Sequence, residues 1–177
     1  MALRNIRILD VDDCLRKRSR EVTKFDDKLK VLIEDMKETM YKENGVGLAA
    51  VQIGVLRRIF VIDIFDGDGM RVFINPEIVK MEGEQVGIEG CLSIPEQAGI
   101  VARPKTVVVK YLDENYEEQE LVAHDFMARA VCHEYDHING RLYKDIALKM
   151  NPTEEEFDKF MSNYEKNLKK KENRNIS

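Results

Sequence analysis

Between Arg57 and His124 the chain passes through four stretches rich in β-branched and aromatic residues, with a segment of helical spacing on either side. That order of helix, strands and helix directs the chain to an α+β fold. It argues against a wound parallel sheet, in which the two element types alternate. The stretches are RRIFVIDIF and MRVFINPEI around the turn-forming cluster DGDG, then TVVVKYLD and EEQELVAH separated by DENYE. The first pair reads as a hairpin or closely paired strands, and the whole section as mostly antiparallel sheet.

The flanking helices are marked by periodicity and by their ends. From Phe25 to Asn44 the residues Leu29, Leu32, Ile33, Met36 and Met40 recur at intervals of three and four, as one buried helical face does. Asp26 or Asp27 can cap its start, and Asn44-Gly45 tolerates the left-handed conformation that stops a helix. HDFMARAVCHEYDHING returns to the helical period, with Phe126, Ala130 and Tyr135 expected inward and Asn139-Gly140 as its stop. A last helix is expected from Thr153 to Lys171. Thr153 can cap it, and EEE in its first turn and KKK in its last both suit the helix dipole. A chain of 177 residues suffices for one domain with a hydrophobic core and leaves little room for another, so residues 1–177 are expected to form a single domain.

Composition narrows the function classes. No apolar run approaches the roughly 20 residues that a bilayer demands. The N-terminal MALRNIRILDVDD carries charges among its apolar positions, unlike a secretory signal, so the cytoplasm is the expected compartment. Three cysteines, an odd number without the spacing of a small secreted domain, point to reduced thiols. A net charge of −5 gives no global reason to bind nucleic acid.

Chemistry concentrates in three places. On a helix, His133 and His137 project from one face a turn apart, close enough to share a metal ion. Glu134 between them suits a proton acceptor for an attacking water, as in metallohydrolases with H-E-x-x-H. The bland alternative is a surface helix whose histidines pair with Glu134 and Asp136. Cys91, in EGCLSIPEQAGIVARP, is the candidate third ligand, in what reads as a loop of the sheet region; one cysteine and two histidines leave a fourth position open, as hydrolysis requires. Cys132 points about 100° away from His133 and suits core packing, and Cys14 has no evident partner. In GVGLAAVQIG, Gly45 and Gly47 allow close approach of backbone to a substrate, and Gln52 offers an amide to a developing oxyanion.

GVGLAAVQ, EGCLS and HEYDH, in this order and at these separations, closely resemble the three signature motifs of the peptide deformylases. The resemblance extends through RPKTVVVKYLDENY and covers residues 3–150. It implies a metal-dependent hydrolase that removes the N-formyl group from the initiator methionine of nascent chains. It further implies that Cys91, His133 and His137 hold one divalent ion, usually ferrous iron, with zinc, nickel and cobalt also able to enter. Glu134 matches the general acid/base, and Gln52 with the Leu92 N–H matches the oxyanion donors. Val46, Gly47, Glu89, Gly90, Arg129 and His133 border the substrate pocket, while Gly45 and Arg103 support it, Arg103 by pairing with Glu89. The partners implied are N-formyl-methionyl peptides, with the KKKENRN helix similar to tails that approach the ribosome. Cys132 stands where many members carry glutamine, which raises an expectation of altered oxygen sensitivity. Rival readings are an endopeptidase with Glu154 or Glu156 as third ligand, a structural zinc module completed by His124 or Cys132, and a hydrolase with Cys91 as nucleophile.

Overall fold

The computed structural model describes residues 2–175. Helix α1 (Asp27–Lys42) begins at Asp26, whose carboxylate accepts from the Leu29 N–H at 3.0 Å. It ends where expected. Asn44 is left-handed at φ 56°, the Gly45 N–H reaches Met40 O and the Asn44 N–H reaches Tyr41 O, the two bonds of a Schellman stop. Strands β1 (Gly47–Ala49), β2 (Ile59–Ile62), β3 (Arg71–Glu82), β4 (Gln85–Cys91), β5 (Ile94–Arg103), β6 (Thr106–Leu112), β7 (Glu118–His124) and β8 (Lys149–Met150) pair antiparallel into two sheets. Helices α2 (Asp125–Ile138) and α3 (Glu154–Asn175) complete the α+β fold.

The larger sheet, ordered β1-β2-β3-β6-β7, lies between two helices. Ile59 and Val61 pack with Leu29, Ile33, Met36 and Met40 of α1, whereas Phe60 and Ile62 pack with Ala128 and Val131 of α2. Both faces of β2 are covered, and for that reason its sequence is continuously apolar rather than alternating. Each such fully buried side chain contributes about 1.5–3 kcal/mol of transfer free energy. β3 continues past Asn75-Pro76 to Glu82, further than its sequence suggests. A register shift against β6 between Ile74 and Glu77 takes up the proline, whose missing donor a regular ladder would not tolerate.

The smaller sheet, β4-β5-β8, carries the segment that matters most. Cys91 is the last residue of β4, not part of an open loop. It pairs with Ile94 across the two-residue turn Leu92-Ser93. Neither β4 nor β5 is evident from sequence, because glycines at 87, 90 and 99 and Pro95 interrupt them; pairing within the sheet makes these segments strands. α2 packs against β1, β2, β6 and β7 of one sheet and β5 of the other, so it joins them. Ala130 is buried and Tyr135 partly so, but Phe126 is 48% exposed, correcting the inward placement.

α3 runs four residues beyond Lys171. Its start is a capping box: the Glu156 N–H donates to Thr153 Oγ1 at 3.2 Å, and the Thr153 N–H to Glu156 Oε2 at 2.9 Å. None of its described residues is fully buried, although Phe157, Phe160, Met161 and Tyr164 are half-buried along one stripe. No helix among the described residues is long and apolar enough to cross a membrane.

Candidate metal centre

α2 carries His133 and His137 on one face, and the end of β4 brings Cys91 to them. The Cys91 Sγ lies 3.3 Å from His137 Nε2, and the two Nε2 atoms are 3.3 Å apart. Tetrahedral bonds of about 2.05 Å to nitrogen and 2.3 Å to sulfur would separate such donors by about 3.3–3.6 Å, and both of these separations suit one shared ion. Among the described residues they form the group of ligating atoms that converges within 4.8 Å. The rival ligands lie elsewhere. His124 hydrogen-bonds Thr106 at the end of β7, Cys132 packs in the apolar core, and Glu156 pairs with Lys149 at 2.6 Å. Glu154 lies exposed at the start of α3.

His133 is oriented from behind. Glu89, 6% exposed, faces the Nδ1 of His133 at 2.7 Å. An ionised carboxylate can only accept, so this bond places the His133 proton on Nδ1 and turns the Nε2 lone pair toward Cys91 and His137. Glu89 also accepts two bonds from Arg103, at 2.9 and 3.0 Å, and one from Arg129 at 2.7 Å. Burial by itself would raise the Glu89 carboxyl. The hydrogen bonds from His133 and Arg103, with the Arg103 charge, overcome burial and hold it well below the usual carboxylate range. Arg103 pairs in addition with Asp136 at 2.6 Å. Asp136 therefore serves the arginine rather than the histidines, a link that spacing along α2 does not reveal.

Glu134 is 4% exposed, and its Oε2 has no hydrogen-bond partner among the described residues. A buried carboxylate oxygen left free and facing a cleft is a group held ready for a small polar reactant. Burial pushes its carboxyl up to about 7, partly opposed by His133; a bound dication would pull it down again. Gly47 lies directly over it. A Cβ at that position would stand 2.5 Å from Glu134 Oε1, so the glycine is needed for close approach to the catalytic candidate as well as to a substrate. Gly47→Ala is expected to displace Glu134 and lower kcat/KM about 100-fold with metal content unchanged; parent-like turnover would show that the carboxylate tolerates the shift.

Gln52, 1% exposed, accepts the Ala49 N–H on Oε1 at 2.9 Å. That bond aims Nε2 at Cys91 Sγ, 3.5 Å away, and at Ser93 Oγ, 3.2 Å away. Ser93 is fully buried and is a supporting residue that the motif reading overlooked. A cleft of about 570 Å³ opens over these groups, and Val46, Gly47, Glu89, Gly90 and Arg129 are among its lining residues. Leu92 lines it too, and Gly45, which also lines it, leaves only a 3.1 Å gap to the Leu92 side chain for any added Cβ. Ile88 and Phe126 join the lining unforeseen; both are large apolar residues left more than 40% exposed. Burial pushes the Cys132 thiol up to about 11, which keeps it protonated and argues against a part in oxidation. Cys14 is not part of the ligand group and approaches Val51 O.

The profile of the polypeptide deformylase family matches residues 5–154. A peptide deformylase of Finegoldia magna is 54% identical over 157 residues, which is 88% of this chain and 96% of that protein. One from Thermoanaerobacter pseudethanolicus is 53% identical over 155 residues, with the same shares. The crystal structure of the Thermotoga maritima peptide deformylase superposes with a TM-score of 0.80 at 43% identity, covering 84% of this chain and all of that one. Shared sequence over most of both chains, with the same fold, establishes that this chain belongs to the polypeptide deformylase family.

Proposed function

We infer that this chain hydrolyses the N-formyl group of formyl-methionyl peptides, releasing formate and a free α-amine, at the Cys91-His133-His137 centre. The observation that carries the reading is the convergence of those three donors beside a buried carboxylate with one free oxygen, in a cleft open to a peptide end. When bound, the divalent ion supplies Lewis acidity that makes water a nucleophile near neutral pH. Glu134 takes a proton from the attacking water and passes it to the departing amine. Gln52 Nε2 and the Leu92 N–H donate to the oxyanion, each worth about 3 kcal/mol or two orders of magnitude in rate. Val46, Gly47, Glu89, Gly90 and Arg129 border the methionine pocket, and Gly45 and Arg103 hold its walls.

Ferrous iron is the proposed native ion, with zinc, nickel or cobalt as substitutes, since one sulfur and two nitrogens suit all four. Formate release from N-formyl-Met-Ala-Ser by anaerobically purified protein tests the assignment, with bound metal quantified. Turnover is expected in the parent and lost at least about 100-fold, together with the metal, in Cys91→Ser. A variant that keeps both metal and turnover would sink the sulfur ligand and return weight to a peptidase-like site.

The cytoplasm is the proposed compartment. Contact with the ribosome through α3 is supported by Lys166, Lys169, Lys170 and Lys171, all exposed on its C-terminal half. Changing these four to glutamine is expected to weaken co-sedimentation with ribosomes at low salt; undiminished co-sedimentation disposes of the contact. Direct binding to free nucleic acid is not proposed, given the net charge of −5.

A further inference from the structure

The substrate cleft is not isolated on the surface. Ile88 and Glu96 line it and also line a second, shallower groove of about 520 Å³, whose other walls include Ala98, Asn151, Thr153 and Phe157. This second groove lies between the smaller sheet and the first turn of α3, away from the metal ligands and the methionine pocket.

Its walls are held in place. The Asn151 N–H donates to Ala98 O at 2.7 Å, and Asn151 Oδ1 accepts the Ala98 N–H at 3.1 Å. Asn151 itself is left-handed, at φ 49°, a conformation asparagine tolerates better than most residues. β8 pairs with β5 through Met150 and Gly99, and the Lys149–Glu156 ion pair ties that strand to α3. Three sets of bonds thus fix the start of a helix that buries no residue fully. What they produce is an apolar pair, Ile88 at 43% exposure and the half-buried Phe157, on a path leading out of the cleft. The charged side chains along it, Glu96 and Glu154, are exposed, and both are acidic.

We propose that this groove continues the substrate site, taking the part of the nascent chain downstream of the residues held in the cleft. The proposal rests on the deformylase reading. A formyl-methionyl end is the beginning of a longer chain, which must leave the cleft along the surface, and the shared Ile88 and Glu96 make the groove the continuous exit. Its lining selects extended peptide with apolar or basic side chains and disfavours acidic ones, by contact with Ile88 and Phe157 and by repulsion from Glu96 and Glu154.

The test is the ratio of kcat/KM for a formylated heptapeptide to that for N-formyl-Met-Ala-Ser. The heptapeptide shares the first three residues and continues with alternating leucine and lysine. In the parent the ratio is expected to be about ten, carried by KM, the order gained by covering one exposed apolar side chain. Phe157→Ala should bring it near one, Phe157→Leu should restore most of it, and glutamates in place of the lysines should lower it. The ratio is the reading even where a variant changes both values. A parent ratio near one, or a ratio untouched by Phe157→Ala, overturns the groove. Absent tripeptide turnover in the parent would instead overturn the deformylase reading itself.

Discussion

Glu134→Gln is expected to lower formate release from formyl-methionyl peptides by at least 10²–10⁴-fold while the protein keeps its metal. The amide preserves the shape of a side chain buried in the cleft but can neither take a proton from water nor return one to the amine. Loss should fall on kcat rather than KM, because the other groups that line the cleft are untouched. The same residue is expected to set the acid limb of the pH profile. Glu134 must be ionised to act, so activity is present above its pKa and lost as pH falls through it. Burial, partly opposed by His133, would place that midpoint at about 7, and a dication beside it moves the midpoint lower. The combination to measure is activity with metal content in the same preparation. A glutamine variant that is metal-replete yet turns over within tenfold of the parent would remove Glu134 from the chemistry.

The second large effect is on stability. Arg103 and Glu89 are each about 5% exposed and form a bidentate pair, extended by Asp136, Arg129 and His133. Arg103→Ala strips a buried carboxylate of its main partner, which costs about 3–5 kcal/mol. For a chain of this size that is a fall in Tm of roughly 10 °C. Because Glu89 also orients His133, metal affinity should drop with stability, by about 10–100-fold. The exposed Lys80–Glu82 pair is the internal comparison: its side chains are 60% and 58% exposed, and Lys80→Ala should change stability by less than about 0.5 kcal/mol. The sign for acid is fixed by the depressed Glu89 carboxyl. Its stabilising contribution is complete above the ordinary glutamate pKa and declines only as pH falls below that value toward the folded one. A Tm for Arg103→Ala within a degree or two of the parent would mean that Arg129 and His133 suffice for Glu89.

What was readable in advance follows the range of the forces involved. α1 was legible to its caps, because Asp26, the 29-33-36-40 stripe and Asn44-Gly45 act within a turn of where they sit. β2, β3, β6 and β7 were legible from β-branched density. β4 and β5 were not: glycines and a proline suppress any local strand preference, and only their mutual ladder holds them extended. Phe126 was misplaced for a related reason. Helical period says which residues share a face, but the cleft removes part of the packing that the face would otherwise meet.

The chain's own order of residues thus determined the α+β class, the local elements and the three motifs, with the kinds of atom each contributes. Tertiary structure decided what those atoms do together. Cys91 and His133 are 42 positions apart in the sequence, and no local interaction brings a thiol at a strand end to imidazoles on a helix. The sheet register, the joining of both sheets by α2 and the buried Glu89–Arg103 cluster do so. The free oxygen of Glu134 under Gly47, the aim of Gln52 and the groove beyond Ile88 likewise exist only once distant segments pack, because each depends on a surface that one segment alone does not possess.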